Sequence, residues 1–252
     1  MKNLKLSLFG LGLAAITIAS CSSGTQTTTT VSGLNPERFD SVVNGKATAL
    51  YTLKNNNGME VCITNFGGRV VSIIVPDKAG NPTDVVLGYD NLAQYTDSVN
   101  SPSDYGSTVG RYANRINQGK ITIEGVEYQL PKNNFGHCLH GGFSGWMYQV
   151  YDAVQPNDST LEMTIVSPDG DNGFPGTVTA KTTYTVLSNN TLDIVFEATT
   201  DKETVVNMTN HCYFNLNGDP SKVGTDMTLY INADNYTPAD ATYMTTGEIA
   251  SV

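Results

Sequence analysis

The 252-residue sequence predicts an all-β chain built as one large antiparallel β-sandwich. Apolar residues recur with period two: Met59, Val61 and Ile63, then Leu161, Met163 and Ile165, then Leu192, Ile194 and Phe196, each run alternating with polar partners. Alternation of this kind marks a strand with one face turned to a core. Turn-forming clusters punctuate the runs at Asn55-Asn56-Asn57-Gly58, Asp77-Lys78-Ala79-Gly80, Asn172-Gly173 and Ser188-Asn189-Asn190. No amphipathic helix is visible beyond a short turn around Asn91–Tyr95, so the layers have to be sheets.

In chain order, the first segment lies outside that domain. Lys2 and Lys5 precede an apolar run from Leu6 to Ile18, and Ala19-Ser20-Cys21 follows. A charged end, a short apolar stretch and small residues at the cut make residues 1–20 a signal peptide; the run is too short to span a bilayer comfortably. Ile18-Ala19-Ser20-Cys21 resembles a bacterial lipobox, which implies cleavage before Cys21 and lipidation of that cysteine in the cell envelope. Ser22 after the cysteine, with no acidic run beyond it, points to the outer membrane and a periplasm-facing position. Ser22–Thr30 is rich in Ser, Thr and Gly without an apolar face, so residues 21–40 are expected as a flexible tether and 41–252 as the single domain. Within it, Ile121 to Leu130 reads as a hairpin turning at Glu124-Gly125, with Ile121, Ile123, Tyr128 and Leu130 available to a core. Thr177–Val186 is rich in Thr, Val and Tyr, which favour pleated, half-buried surfaces. No repeat of fixed period and no internal linker divides the domain.

Charge and cysteines exclude several functions. Loss of residues 1–20 removes two lysines, so the formal charge of −10 becomes about −12. An acidic domain with 14 Lys+Arg in the whole chain is a poor nucleic-acid binder, because phosphate contacts need clustered cations. No basic stripe is present for a membrane surface, so membrane contact is expected only through the N-terminal lipid, and the domain itself as a monomer. Cys62, Cys138 and Cys212 are odd in number and cannot form a complete disulfide set. His137, Cys138 and His140 lie close in sequence, but their Gly-rich flank reads as a small-ligand loop, and no metal site is assigned.

Three stretches carry the candidate chemistry. Asn207–Gly218 places His211, one of three histidines in the chain, among amides and aromatics. An imidazole exchanges protons near neutral pH with little tuning. In an extended segment Tyr213 shares the face of His211, while Phe214 points the other way, into a core. A proton donor beside an aromatic ring and amides suits a polyhydroxylated ligand; a half-buried structural histidine is the plainer alternative. The second stretch, Gly106–Ile116, carries Arg111, Asn114 and Arg115, whose donors and acceptors suit vicinal hydroxyls. Arg111 serves equally well to pin a loop through backbone carbonyls. In the third, Asn134–Gly142, two glycines directly after His140 allow close approach of a ligand. Trp146 nearby is read as a core residue rather than a stacking platform.

These residues also carry a resemblance. Asn65-Phe66-Gly67-Gly68-Arg69, Leu87-Gly88-Tyr89-Asp90, Gly110-Arg111-Tyr112-Ala113-Asn114-Arg115-Ile116, Leu139-His140-Gly141-Gly142, Asn210-His211-Cys212-Tyr213-Phe214-Asn215-Leu216 and Asn232-Ala233-Asp234-Asn235-Tyr236-Thr237-Pro238 together resemble the aldose 1-epimerase (galactose mutarotase) family, in that family's order. The resemblance implies a β-supersandwich with an open cleft, and interconversion of α and β anomers of free aldoses such as glucose and galactose without a cofactor. By position it implies that His211 is the general acid, that His140 binds and polarises the sugar, and that Asn114, Arg115 and Tyr213 bind hydroxyls. It also implies a glutamate base and a sugar-binding aspartate in a part of the family that follows residues like 239–252, so the sequence is expected to be truncated at the C-terminus. Glu248 does not match the base. Two other readings are a non-catalytic sugar-binding lipoprotein and a relative acting on hexose 6-phosphates, which would call for added cations near the cleft.

Overall fold

The computed structural model describes residues 29–97, 100 and 103–252. Residues 1–20, expected as a signal peptide, Cys21 and the first part of the expected tether lie outside the described residues. Two four-stranded antiparallel sheets form the sandwich. The first is ordered Leu50–Lys54, Glu60–Thr64, Arg69–Pro76, Pro82–Asp84, and the second Asp152–Asn157, Thr160–Ser167, Val178–Val186, Leu192–Thr200. Each is a meander in sequence order, as short turns at Asn55–Gly58, Asp77–Gly80 and Ser188–Asn190 dictate. The one α-helix among the described residues is Leu92–Thr96, capped by the Asn91 side chain accepting from Gln94 N–H at 3.0 Å.

The alternation expected for Leu161, Met163 and Ile165 is present, with all three buried between the sheets. They pack there with Leu53, Val61, Ile63, Ile73, Val178, Ala180 and Tyr184. The neighbouring pattern differs at Glu60–Thr64, where all five residues are buried. The reason is a second cluster on the outer face of the first sheet, in which Cys62 and Val71 meet Phe39, Phe66, Leu92, Tyr95 and Val150. A strand covered on both faces loses its polar side. Part of the stretch assigned to the tether supplies this cover. Val31 N–H donates to Glu60 Oε1 at 2.7 Å, and Phe39, at the end of the 3-10 turn Pro36–Phe39, is fully buried.

The Ile121–Leu130 hairpin forms as read. Lys120–Ile123 pairs with Val126–Gln129, and Glu124 and Gly125 both adopt positive φ (50° and 80°), the geometry that suits a two-residue hairpin loop. Its apolar side closes a third, smaller cluster of Ile116, Leu130, Cys138 and Phe174, with Ile121 against it. Cys62, Cys138 and Cys212 are all free thiols. Burial pushes them up to about 11, 11 and 12 respectively, so they are inert side chains at neutral pH.

Candidate active site

Two short ladders set the site on the sandwich. Thr108–Val109 pairs with Thr209–Asn210, and Arg115–Ile116 pairs with Cys138–Leu139. His211 and His140 are each the residue that follows one of these ladders, so neighbouring stretches of one segment, 106–116, bring both imidazoles together. Gly106 N–H donates to His211 O at 3.0 Å and His211 N–H to Ser107 O at 2.8 Å. Gly106 is required for this approach: its φ is +63°, and a Cβ there would run into the Val70 carbonyl. Thr108 is tied to the second sheet through its hydroxyl, which lies 2.6 Å from the Tyr184 hydroxyl, deep in the core.

The His140 and His211 rings meet edge to face with centroids 5.3 Å apart, and the Tyr213 ring stacks on that of His211 at 5.1 Å. The expected shared face of His211 and Tyr213 is therefore present. Phe214, expected to enter a core, is instead 56 % exposed. Only Thr209–Asn210 of that stretch pairs as a strand, and Val86 and Phe214 meet in a single isolated bridge, so strict alternation does not run on to Phe214. Trp146 is 1 % exposed and belongs to the main core. Arg111 does not reach the site either. Its guanidinium donates to the carbonyls of Pro175, Gly176, Ser167 and Pro168, the loop-pinning role.

His140 is held in one tautomer. The Asn114 backbone N–H donates to its Nδ1 at 2.9 Å, which leaves the ring proton of the neutral imidazole on Nε2. Its own φ is +53°, followed by Gly141 at +82° and Gly142 at +96°. A non-glycine in the left-handed region is a feature concentrated at functional sites. Burial, partly opposed by Asp104, pushes the His140 pKa down to about 4. His140 is thus a neutral Nε2–H donor at physiological pH. The same shift has a stability consequence. Between about 6.5 and 4 the unfolded chain takes up a proton that the folded chain refuses. Stability contributed here is full above 6.5 and is lost as pH falls towards 4. The urea midpoint is expected to drop between pH 7 and pH 4.5, and His140→Gln should flatten that part of the profile. An unchanged slope in the variant would show that His140 does not titrate as described.

The cleft beside the pair has a volume of about 470 Å³, in the range of small-ligand sites, and is lined by His140 and Tyr213 with Asp104, Tyr105, Asn133, Asn134 and Tyr148 among others. Asn114 and His140, together with Asn207–Cys212, line a second concavity that includes His211. Asn114 is exposed, with φ +66° and its side-chain oxygen accepting from Arg115 N–H at 2.8 Å. Arg115 donates from Nη2 to Asn134 Oδ1 at 2.6 Å. Of the five residues singled out from the sequence, His140 and Tyr213 line the cleft, His140 also joins Asn114 and His211 in the second concavity, and Arg115 reaches the cleft through its bond to Asn134.

Asp104 is the cleft residue that sequence reasoning missed. It stands in an unremarked Ser103-Asp104-Tyr105 turn with no motif around it, and only the fold carries it to the histidines. Asp104, His140 and His211 each bring a ligand-type atom within 4.8 Å of the others. The donor set is nevertheless a poor one for a cation: the Asn114 N–H occupies Nδ1 of His140, and its Nε2 then carries the proton, so neither nitrogen offers a free lone pair. His137 and Cys138 do not join it. His137 Nδ1 accepts from Gln118 N–H at 3.0 Å and its Nε2 lies 2.8 Å from Thr242 Oγ1, while Cys138 is buried in the third cluster.

The chain is similar to several known proteins. A family model described as aldose 1-epimerase matches residues 49–252. Galactose mutarotase of Rattus norvegicus is 38 % identical over 208 residues, covering 82 % of this chain and 59 % of that protein. Aldose 1-epimerase of Escherichia coli (strain K12) is 37 % identical over 196 residues, covering 78 % and 56 %. Among solved structures, the GalM/aldose epimerase homologue from C. elegans superposes with a TM-score of 0.74 at 32 % identity, over 81 % of this chain and 62 % of that one. Galactose 1-epimerase from Lactobacillus acidophilus NCFM gives 0.73 at 29 % identity, over 84 % and 60 %. The chain thus spans a little under two thirds of the length of these relatives. The all-β sandwich finds its counterpart in these solved structures, and the chain belongs to the aldose 1-epimerase family.

Proposed function

We propose that the protein interconverts the α and β anomers of free hexoses such as glucose and galactose by acid–base ring opening. The observation that carries this reading is the His140–His211 pair at 5.3 Å, with both residues lining one concavity and His140 also lining the neighbouring cleft of sugar-binding size. Among the described residues the ring nitrogens of His211 make no hydrogen bond, so its imidazole is free to meet a substrate oxygen. It delivers a proton to the ring oxygen as the C1–O5 bond breaks. His140, neutral and with Nε2–H presented, donates a hydrogen bond that orients and polarises the sugar without giving up its proton. Asp104, Asn134 and the Tyr213 ring offer acceptors, donors and an apolar face for hydroxyls and C–H groups. The proton of the C1 hydroxyl leaves to a base, for which the family resemblance implies a glutamate. Rotation of the aldehyde and closure on the other face then reverse both transfers, and no cofactor takes part.

The hexose 6-phosphate reading is disfavoured by the charges. Arg69 and Arg111 spend their guanidinium groups on backbone carbonyls, Arg115 is engaged by Asn134, and the cleft carries Asp104. Polarimetry of freshly dissolved α-galactose tests the main reading: the protein should shorten the approach to equilibrium rotation. Binding of galactose with the rate left at its buffer value would favour the non-catalytic reading instead.

Lipid anchoring through Cys21 belongs to the same proposal and rests on the sequence of the leader. Expressed in a bacterial host, the protein should partition with membranes, and Cys21→Ala should either release it or leave the precursor uncut. Equal membrane association of the variant would refute the anchor.

A further inference from the structure

We propose that Asp104 fits the cleft to a cationic sugar, so that a 2-amino-2-deoxyhexose such as glucosamine binds in preference to its neutral counterpart. The placing of the anomeric carbon at the histidine pair rests on the function proposed above. The preference for charge rests on its own observations.

Asp104 is the one carboxylate among the residues that line the cleft, and no lysine or arginine lines it. The concavity that holds His211 is lined by neither a carboxylate nor a lysine or arginine. His140, neutral at physiological pH, does not offset the Asp104 charge. Among the described residues the Asp104 carboxylate enters no ion pair and accepts no hydrogen bond. Its backbone is what is held: the carbonyl accepts from the N–H and the hydroxyl of Ser107 at 3.1 and 2.9 Å. Arg69 stands behind the wall, fully buried, with Nη1 on the carbonyls of Ser103 and Tyr105 to either side of Asp104. The charge of Asp104 reaches into the cleft as well. Burial raises the pKa of the Tyr148 and Tyr213 phenols, and Asp104 adds to both. The same charge that disfavours a sugar phosphate favours an ammonium.

The position suits a group on C2. Asp104 brings a carboxylate oxygen within 4.8 Å of a ring nitrogen of each histidine. In a pyranose the ring oxygen and C2 are the two ring neighbours of the anomeric carbon. A sugar whose ring oxygen meets His211 therefore carries its C2 substituent close to that carboxylate. An ammonium there forms a charge-assisted hydrogen bond that is stronger than the one a hydroxyl gives. Partial shelter from water strengthens it further. The competing account is that Asp104 only balances Arg69 across the wall.

The test uses the full chain at pH 6, where the sugar amine is protonated. In isothermal titration glucosamine should bind about fivefold or more tightly than glucose. N-acetylglucosamine keeps the C2 nitrogen without its charge and should show no such gain. Asp104→Asn keeps the shape and removes the charge, so the glucosamine preference should fall to near parity. The ratio of kcat/KM for α-glucosamine over α-glucose, read by polarimetry, should fall with it. Asp104→Ser should give the same loss of preference, and melting curves check that both variants fold. The proposal is overturned when glucosamine does not outbind glucose, when N-acetylglucosamine matches glucosamine, or when folded Asp104 variants keep the preference. Equal weakening of glucosamine and glucose by the variants overturns it too. A protein that prefers glucosamine in the calorimeter yet speeds the mutarotation of neither sugar defeats the anomer-exchange reading alone.

Discussion

Substitution of His211 by Asn is expected to lower kcat for anomer exchange by about 10²–10⁴-fold, the usual worth of a positioned general acid. Asparagine keeps a hydrogen-bond donor of similar reach, so the sugar should still bind and KM should move little. What it lacks is a transferable proton. The proposed mechanism gives this role to His211 rather than His140. The imidazole of His140 is pinned by the Asn114 N–H and pushed down to about 4, so it is not an acid at pH 7. His140→Ala should therefore act mainly on KM and orientation, with the smaller loss in kcat. Polarimetry of α-glucose and α-galactose with each variant separates the two. A folded His211→Asn protein with near-parental kcat would reduce His211 to a binding residue and leave the family membership untouched.

Legibility from sequence followed the physics of each segment. Thr160–Ser167 has one face in the core, so its alternation declared itself. Glu60–Thr64 is covered on both faces, the outer one by Phe39 and the helix residues Leu92 and Tyr95, and no local pattern can announce a cover that arrives from elsewhere in the chain. The Glu124-Gly125 turn was readable because a two-residue hairpin demands its own residue types. Phe214 was misplaced because alternation was extended beyond the paired residues Thr209–Asn210. In the site, His140 and His211 stood out through their glycine and amide surroundings, yet nothing in the sequence placed their rings at 5.3 Å. Asp104 had no signal at all, and the Phe135–Tyr243 contact joins two loops that sequence distance keeps apart. Residue types that chemistry needs are legible; their convergence is a property of the fold.

The second large effect is expected at Arg69, which is fully buried and, among the described residues, has no carboxylate as a hydrogen-bond partner. Its Nη1 donates to Ser103 O and Tyr105 O at 3.2 and 3.1 Å, and its Nη2 to Met147 O at 3.0 Å. The guanidinium also lies 5.2 Å from the Tyr95 ring and 5.8 Å from that of Phe66. Burial disfavours the charged form and lowers its pKa, but a planar fork is the side chain able to serve three carbonyls from two directions. Arg69→Met fills similar volume and leaves those acceptors unserved. An orphaned buried acceptor costs about 1–3 kcal/mol, and release of the buried charge offsets part of that. A net loss of about 2–5 kcal/mol is expected, a large share of the ~5–15 kcal/mol that holds a typical domain together. Arg69→Lys should recover little, since an ammonium on a flexible stem cannot reproduce the fork. The consequence extends to function, because Ser103, Tyr105 and Met147 flank Asp104 and Tyr148 in the cleft wall. Loosened walls should raise KM for galactose in whatever fraction of the variant remains folded. Urea unfolding followed by tryptophan fluorescence reads the first effect through Trp146, and polarimetry at several galactose concentrations reads the second. A parental midpoint in Arg69→Met would mean that the three carbonyls find other donors and that the clamp is not what holds the cleft wall.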